Sequence, residues 1–171
     1  MQISVIFGDI TKVEIEALVN AANSTLLGGG GVDGAIHRAA GKELLEECSL
    51  ISRRQGGCKT GEAVITAGYN LKAKYVIHTV GPVWNNGKSN EPELLQNCYK
   101  NAIRIARENN IQSIVFPNIS TGVYAFPKAL AAEIVSKYFY QLQKTETIIN
   151  KVVFVCFDRE NYALYADKFK T

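Results

Sequence analysis

The feature that most restricts this chain is a set of short apolar runs that do not alternate with polar residues. "ISVIFG" (3–8), "ALVNAA" (17–22), "EAVITAG" (62–68), "KYVIHTVG" (74–81), "SIVFPNIS" (113–120) and "KVVFVCF" (151–157) are rich in Val, Ile, Phe and Ala. A strand with one wet face alternates, whereas a strand covered on both faces reads as a near-continuous apolar run. Between the runs lie helical patterns. In "EPELLQNCYKNAIRIARENN" (91–110), Leu94, Leu95, Cys98, Tyr99, Ala102, Ile103 and Ala106 recur at helical spacing, with Pro92 in the first turn. "PKALAAEIVSKYFYQLQ" (127–143) repeats the pattern through Ala131, Val135, Tyr138, Phe139 and Leu142, and "ENYALYADKFK" (160–170) predicts a short last helix. The sum is an α/β layered domain with helices on both sides of a largely parallel sheet. At 171 residues it is expected to be one domain, 1–171, large enough to bury a core.

Composition narrows the function by exclusion. A net charge of +3 carries no basic stripe, Arg53 and Arg54 being the nearest approach to a cluster, so no nucleic-acid partner is expected. The N-terminus lacks a charged start and a long apolar run, and no segment is long enough to span a bilayer, so no membrane partner is expected. Cys48, Cys58, Cys98 and Cys156 lie far apart without a histidine at ligand spacing. They read as four reduced thiols of a cytoplasmic protein, with no metal and no cofactor. Monomer is the default for a domain of this size.

Three loops at strand ends carry the chemistry, since ligands of open α/β sheets bind outside the carboxyl ends of the strands. In "VNAANSTLLGGGGVDGAIHRAAG" (19–41), Gly28 to Gly31 are followed at once by a helix starting near Val32, with Asp33 in its first turn. Consecutive glycines lose more backbone entropy than any other residues, and they bring bare N–H groups and a helix N-terminus close to a ligand. This suits a phosphate or a crowded sugar. No Gly-Lys-Ser/Thr follows, so it is no P-loop, and no acidic residue closes a dinucleotide fingerprint. In "NISTGVYAFPKA" (118–129), hydroxyls, free amides and a helix start make an anion cradle, and Tyr124 and Phe126 could cover a sugar or base. In "FGDIT" (7–11), Asp9 either caps the next turn or accepts a hydrogen bond from an exocyclic amine.

Taken together, "GDIT" (8–11), "VNAAN" (19–23), "GGGGVDGAIHRAAG" (28–41), "YVIHTVGP" (75–82) and "NISTGVYAFP" (118–127) resemble a macrodomain. Macrodomains are the ADP-ribose-binding family, and within it the chain resembles the hydrolase branch of the O-acetyl-ADP-ribose deacetylase type. The resemblance implies a three-layer α/β/α fold around a mixed six-stranded sheet. It also implies a cleft in which Asp9 and the backbone of Ile10 meet the adenine and Phe157 stacks on it. Ser120, Thr121, Gly122, Val123 and Tyr124 wrap the diphosphate from one side, with Gly31 and Val32 opposite. Ala22 belongs to the same wall, Phe126 packs on the distal ribose, and Asn23 holds its hydroxyls. Asp33 is implied as the catalytic carboxylate with Asn23 as its partner, ten positions apart. One departure stands out: Ala125 occupies a turn position where the family commonly has glycine, so its φ decides the shape of the lid.

The implied reaction is hydrolysis of an ester between the distal ribose and an acyl group, a protein carboxyl side chain or acetate, by water polarised by Asp33. The alternatives are a binding module without turnover and a phosphatase acting on phosphorylated ADP-ribose. His37 and His78 invite a catalytic reading, but neither has a nucleophile at motif spacing and no G-x-S-x-G is present, so both are expected to be structural. Trp84 and Tyr75 read as core or cleft-wall residues.

Overall fold

Six strands form one sheet in the order β1-β6-β5-β2-β4-β3. The computed structural model describes residues 1–170. The strands are β1 (Gln2–Phe7), β2 (Ala17–Ala22), β3 (Ala63–Ala67), β4 (Tyr75–Val80), β5 (Ser113–Phe116) and β6 (Lys151–Cys156). All neighbours pair in parallel except β3, which runs antiparallel to β4 at the edge. The helices are α1 (Gly31–Ala40), α2 (Lys42–Gln55), α3 (Glu91–Glu108), α4 (Lys128–Gln143) and α5 (Arg159–Lys168), with a 3-10 turn at Ile10–Lys12.

The non-alternating runs are explained by two cores. Successive side chains of a strand point to opposite faces, so a strand between two helical layers is apolar at every position. Leu18, Val76, Val115, Val153 and Val155 pack with Ile36, Ala40, Leu44, Cys48 and Ile51 of α1 and α2. Their sequence neighbours Val19, Ile77, Ile114, Phe116, Val152 and Phe154 pack on the other face with residues of α3, α4 and α5. Parity along each strand thus assigns each residue to a layer, and that parity later decides which polar residues meet.

The run at 113–120 makes a strand only to Phe116, because Pro117 has no N–H for the ladder and ends it. The fourteen-residue helix α2 was not anticipated, although Leu44, Cys48 and Ile51 form a buried stripe at i, i+4 and i+7, and Gly56, at φ +81°, closes it in the left-handed conformation. Six charged residues among the fourteen obscured that narrow stripe. Pro92 lies in the first turn of α3, and Pro127 caps α4, its carbonyl accepting from Ala131.

Candidate active site

The carboxyl ends of four parallel strands open into one cavity. Asn23 follows β2, Gly81 follows β4, Pro117 to Ser120 follow β5, and Phe157 follows β6. Together with Gly29 to Asp33 and Gly122 to Tyr124 they line a cleft of about 350 Å³, within the range that holds small organic ligands. One wall is therefore the glycine-rich turn with the start of α1, and the other is the loop after β5.

The glycine wall is shaped by close approach. Gly28 has φ +88°, a conformation that only glycine adopts freely. Gly29 sits between two side chains: a methyl there would lie 3.2 Å from Asn23 Nδ2 and 3.2 Å from Asp33 Oδ2. The two residues singled out from sequence thus flank one bare backbone position and face the same cavity.

Asp33, in the first turn of α1, is only 5% exposed, and the helix N-terminus favours negative charge there. Its Oδ1 accepts from Asn20 Nδ2 at 2.8 Å and lies 3.4 Å from His37 Nε2, one turn along the helix. Oδ2 is turned toward Gly29. One oxygen is committed inside the protein, and the other is left for a ligand. Asn23 makes no hydrogen bond to Asp33. Its Nδ2 donates to the Gly28 carbonyl at 2.7 Å and its Oδ1 accepts from Thr25 Oγ1 at 2.7 Å, bracing the glycine turn. A primary amide offers two donors and two acceptor lone pairs, so one of each remains for a sugar hydroxyl.

Asn20 was missed, yet it left a sign: it is a completely buried amide inside an apolar strand, and buried polar groups need partners. It shares the parity of Leu18 and therefore points toward α1. His78 on β4 is its register neighbour, and Thr66 on β3 lies on the same face, one pair removed. His78 Nδ1 is 3.1 Å from Asn20 Nδ2, its Nε2 is 2.9 Å from Thr66 Oγ1, and Cys48 Sγ of α2 is 3.8 Å from that nitrogen. Both histidines are hydrogen-bonded or packed groups, and the Cys48 thiol beside His78 lies outside the cleft lining, pushed up to about 12 by burial. Burial pushes the His78 imidazole down to about 3, with the His37 ring adding to the effect and Asp33 opposing it. An imidazole that stays neutral when folded and titrates near 6.5 when unfolded favours the unfolded chain as pH falls below 6.5. Stability is therefore expected to be independent of this group above pH 6.5 and to decline below it, by at most about 1.4 kcal/mol per pH unit for one proton. Urea midpoints from pH 8 to pH 4 check this, and His78→Asn should flatten the slope.

The second wall is a loop held from behind. Phe126 N–H donates to the Ser120 carbonyl and Ala125 N–H to the Gly122 carbonyl, both at 2.9 Å, while the Tyr124 carbonyl accepts from Trp84 N–H at 2.9 Å. Among the described residues, no N–H from Ser120 to Tyr124 donates to a protein acceptor. Ser120 Oγ is buried without a protein partner, and both side-chain polar atoms of Asn118 share that condition at the cavity wall. Such a row of free amides and hydroxyls suits an anion. Ala125 has φ +60°, where the methyl group costs about 1 kcal/mol. Ala125→Gly is expected to raise the unfolding free energy by up to about that amount, read as a higher urea midpoint. Trp84 and the loop beyond it are themselves anchored by buried Glu91, whose carboxylate accepts from the N–H groups of Asn85, Gly87 and Ser89.

Not every expected contact residue reaches the cavity. Ala22, Asn23, Gly31, Val32, Asp33, Ser120, Gly122, Val123, Tyr124 and Phe157 line it. Phe126 does not: it is 1% exposed and packs edge-to-face on Trp84 at 4.9 Å, a core contact. Thr121 is buried behind the loop, where Oγ1 accepts from Asn161 Nδ2 of α5 at 3.2 Å. Asp9 and Ile10 lie outside the lining as well. Asp9 caps the 3-10 turn, its Oδ1 accepting from Thr11 N–H and Oγ1–H, and those two bonds hold its carboxyl below the usual range. Ile10 is buried in the α1 layer. Phe157 stands at the mouth with 69% of its surface exposed, a flat ring free to receive a base.

Residues 19–135 match the family model described as Macro domain. The chain is 55% identical over 164 residues to O-acetyl-ADP-ribose deacetylase 1 of Pantoea vagans, covering 96% of each chain. It is 54% identical over 164 residues to the O-acetyl-ADP-ribose deacetylase of Escherichia fergusonii, covering 96% of this chain and 93% of that one. Among solved structures, the Oceanobacillus iheyensis macrodomain with ADP is similar with a TM-score of 0.90 and 45% identity, over 96% of this chain and 87% of that one. The Trypanosoma brucei macrodomain in complex with ADP-ribose is similar with a TM-score of 0.86 and 41% identity, over 96% and 68%.

Proposed function

Since the chain belongs to the Macro domain family, we propose that it is an ADP-ribose-binding hydrolase that cleaves esters of the distal ribose. Its substrates are O-acetyl-ADP-ribose, proteins bearing ADP-ribose on acidic side chains, or both. The observation that carries this reading is the buried Asp33 carboxylate, with Oδ1 fixed by Asn20 and Oδ2 turned to the cleft beside Asn23. A module that only bound ADP-ribose would have no use for a carboxylate so held.

In this reading the free amides of Ser120 to Tyr124 and the N-terminus of α1 receive the diphosphate, and Phe157 stacks on the adenine. The free Oδ2 of Asp9 meets the adenine edge from beside the mouth. The spare amide groups of Asn23 hold the distal ribose, and Asp33 Oδ2 orients a water and takes its proton. The hydroxide oxygen bonds to the acyl carbon, the ribose–acyl bond breaks, and the departing ribose oxygen receives the proton held by Asp33, which returns to the carboxylate form. The products are free ADP-ribose and a carboxylic acid. Positioning supplies much of the rate, since water, carboxylate and ester are held on rigid elements. We place the reaction on one copy of a single domain, the default for a chain of 171 residues. We place it in the cytoplasm, because all four cysteines are free, buried thiols.

Two measurements test the reading together. Calorimetric titration with ADP-ribose should show one site, and incubation with O-acetyl-ADP-ribose or with glutamate-linked ADP-ribosylated protein should release ADP-ribose. Binding without release from either substrate would establish the binding module instead.

A further inference from the structure

Asp33 is oriented by a line of hydrogen bonds that begins far from the cleft, on the edge strand. Proton counting fixes its direction. A carboxylate oxygen only accepts, so the atom of Asn20 that lies 2.8 Å from Asp33 Oδ1 is the amide nitrogen. That nitrogen has two hydrogens; the first goes to Asp33 and the second points at His78 Nδ1, 3.1 Å away. Nδ1 must therefore accept, and the proton of the neutral ring resides on Nε2. Nε2–H donates to Thr66 Oγ1 at 2.9 Å, and the Thr66 hydroxyl passes its own proton to the Ala67 carbonyl at 3.1 Å. Every donor in the line has an acceptor, and reversing any one member puts two donors or two acceptors face to face.

We propose that His78 and Thr66 are positioning residues for the hydrolysis, Thr66 selecting the His78 tautomer that turns the Asn20 amide and thereby sets the Asp33 carboxylate. The inference rests on the hydrolase reading of Asp33. None of the three outer members touches the cleft: His78 is 1% and Thr66 3% exposed, and neither lines the cavity. Their effect reaches substrate only through the rotation of one carboxylate. A purely apolar packing role needs no fixed tautomer, whereas this role needs one nitrogen to accept and the other to donate. Deep burial keeps the ring neutral, which preserves its acceptor at ordinary pH.

The test is a pair of substitutions that separate the two ring nitrogens. His78→Asn places an amide oxygen near the position of Nδ1 and can still accept from Asn20. His78→Gln reaches the position of Nε2 and leaves Asn20 without its acceptor. With O-acetyl-ADP-ribose as substrate, His78→Gln and Thr66→Val are expected to lower kcat by about tenfold or more. KM and the ADP-ribose dissociation constant should move by less than about twofold, while His78→Asn and Thr66→Ser keep most of kcat. Equal kcat for the Asn and Gln variants, or losses confined to thermal stability, would overturn the proposal. The unsubstituted protein gives a second reading that requires no variant to fold. Nitrogen-labelled imidazole NMR should show His78 protonated at Nε2 only, and a proton on Nδ1 would overturn the line. If the unsubstituted protein released no ADP-ribose, the hydrolase reading would fall, while the NMR result would still decide the direction of the bonds.

Discussion

Asp33→Asn is expected to lower turnover by on the order of 10²–10⁴-fold, the usual contribution of a positioned general base, while ADP-ribose still binds. The asparagine is chosen over alanine for a structural reason. Asp33→Ala would strip Asn20 Nδ2 of one of its two acceptors in a buried site, and an unpaired buried donor costs about 1–3 kcal/mol. Part of its effect would then be local unfolding of the α1 start. Asp33→Asn keeps an oxygen for Asn20 and keeps the side-chain volume, but cannot take a proton from water. The affinity should survive because the amides of Ser120 to Tyr124 and the ring of Phe157 lie elsewhere on the cavity wall. Calorimetry for binding and release of ADP-ribose from O-acetyl-ADP-ribose for turnover separate the two effects. Near-normal hydrolysis by the folded Asn variant would remove Asp33 from the mechanism.

Gly81→Ala is expected to weaken ADP-ribose binding by about 10- to 100-fold, by displacing the loop after β5. Its Cβ would stand 2.1 Å from Ser120 Oγ and 2.6 Å from Ile119 Cγ2, distances at which the loop must move. Overpacking of this kind costs about 1–3 kcal/mol, and about 1.4 kcal/mol is a factor of ten in affinity. Ser120 is already held at φ +66°, so the loop has little freedom to yield without turning its amides away from the cleft. Adding Ser120→Ala removes the oxygen clash but leaves the contact with Ile119, so the double variant should recover only part of the affinity. Titration of ADP-ribose into the three proteins checks the order. A Gly81→Ala protein with unchanged affinity would mean that the loop after β5 is not the diphosphate wall.

Much of this was legible because it follows from periodicity and from glycine. Several runs nearly without alternation imply two covering layers, and the inner strands β2, β4, β5 and β6 carry both cores on their two parities. The glycine turn and Asp33 could be paired from sequence because the start of α1 follows the turn directly. Helix α2 was hidden because its stripe is three residues wide among exposed charges, and hydrophobic content averaged over the segment dilutes it. That Phe126 lies in the core and not on the cavity wall was not legible, because an aromatic at a loop end can face either way and Trp84, forty-two positions earlier, packs against it inside.

The amino-acid order alone determined the layers, the strand-end loops and the residue types that could handle a phosphorylated sugar, because each depends on local spacing and on backbone freedom. Tertiary structure alone decided that Asn20 rather than Asn23 holds the carboxylate, and that His78 and Thr66 stand behind it. Those contacts cross between β2, β4, β3 and α1. Which strands become neighbours is settled by the packing of the whole sheet, and no stretch of chain carries that information by itself.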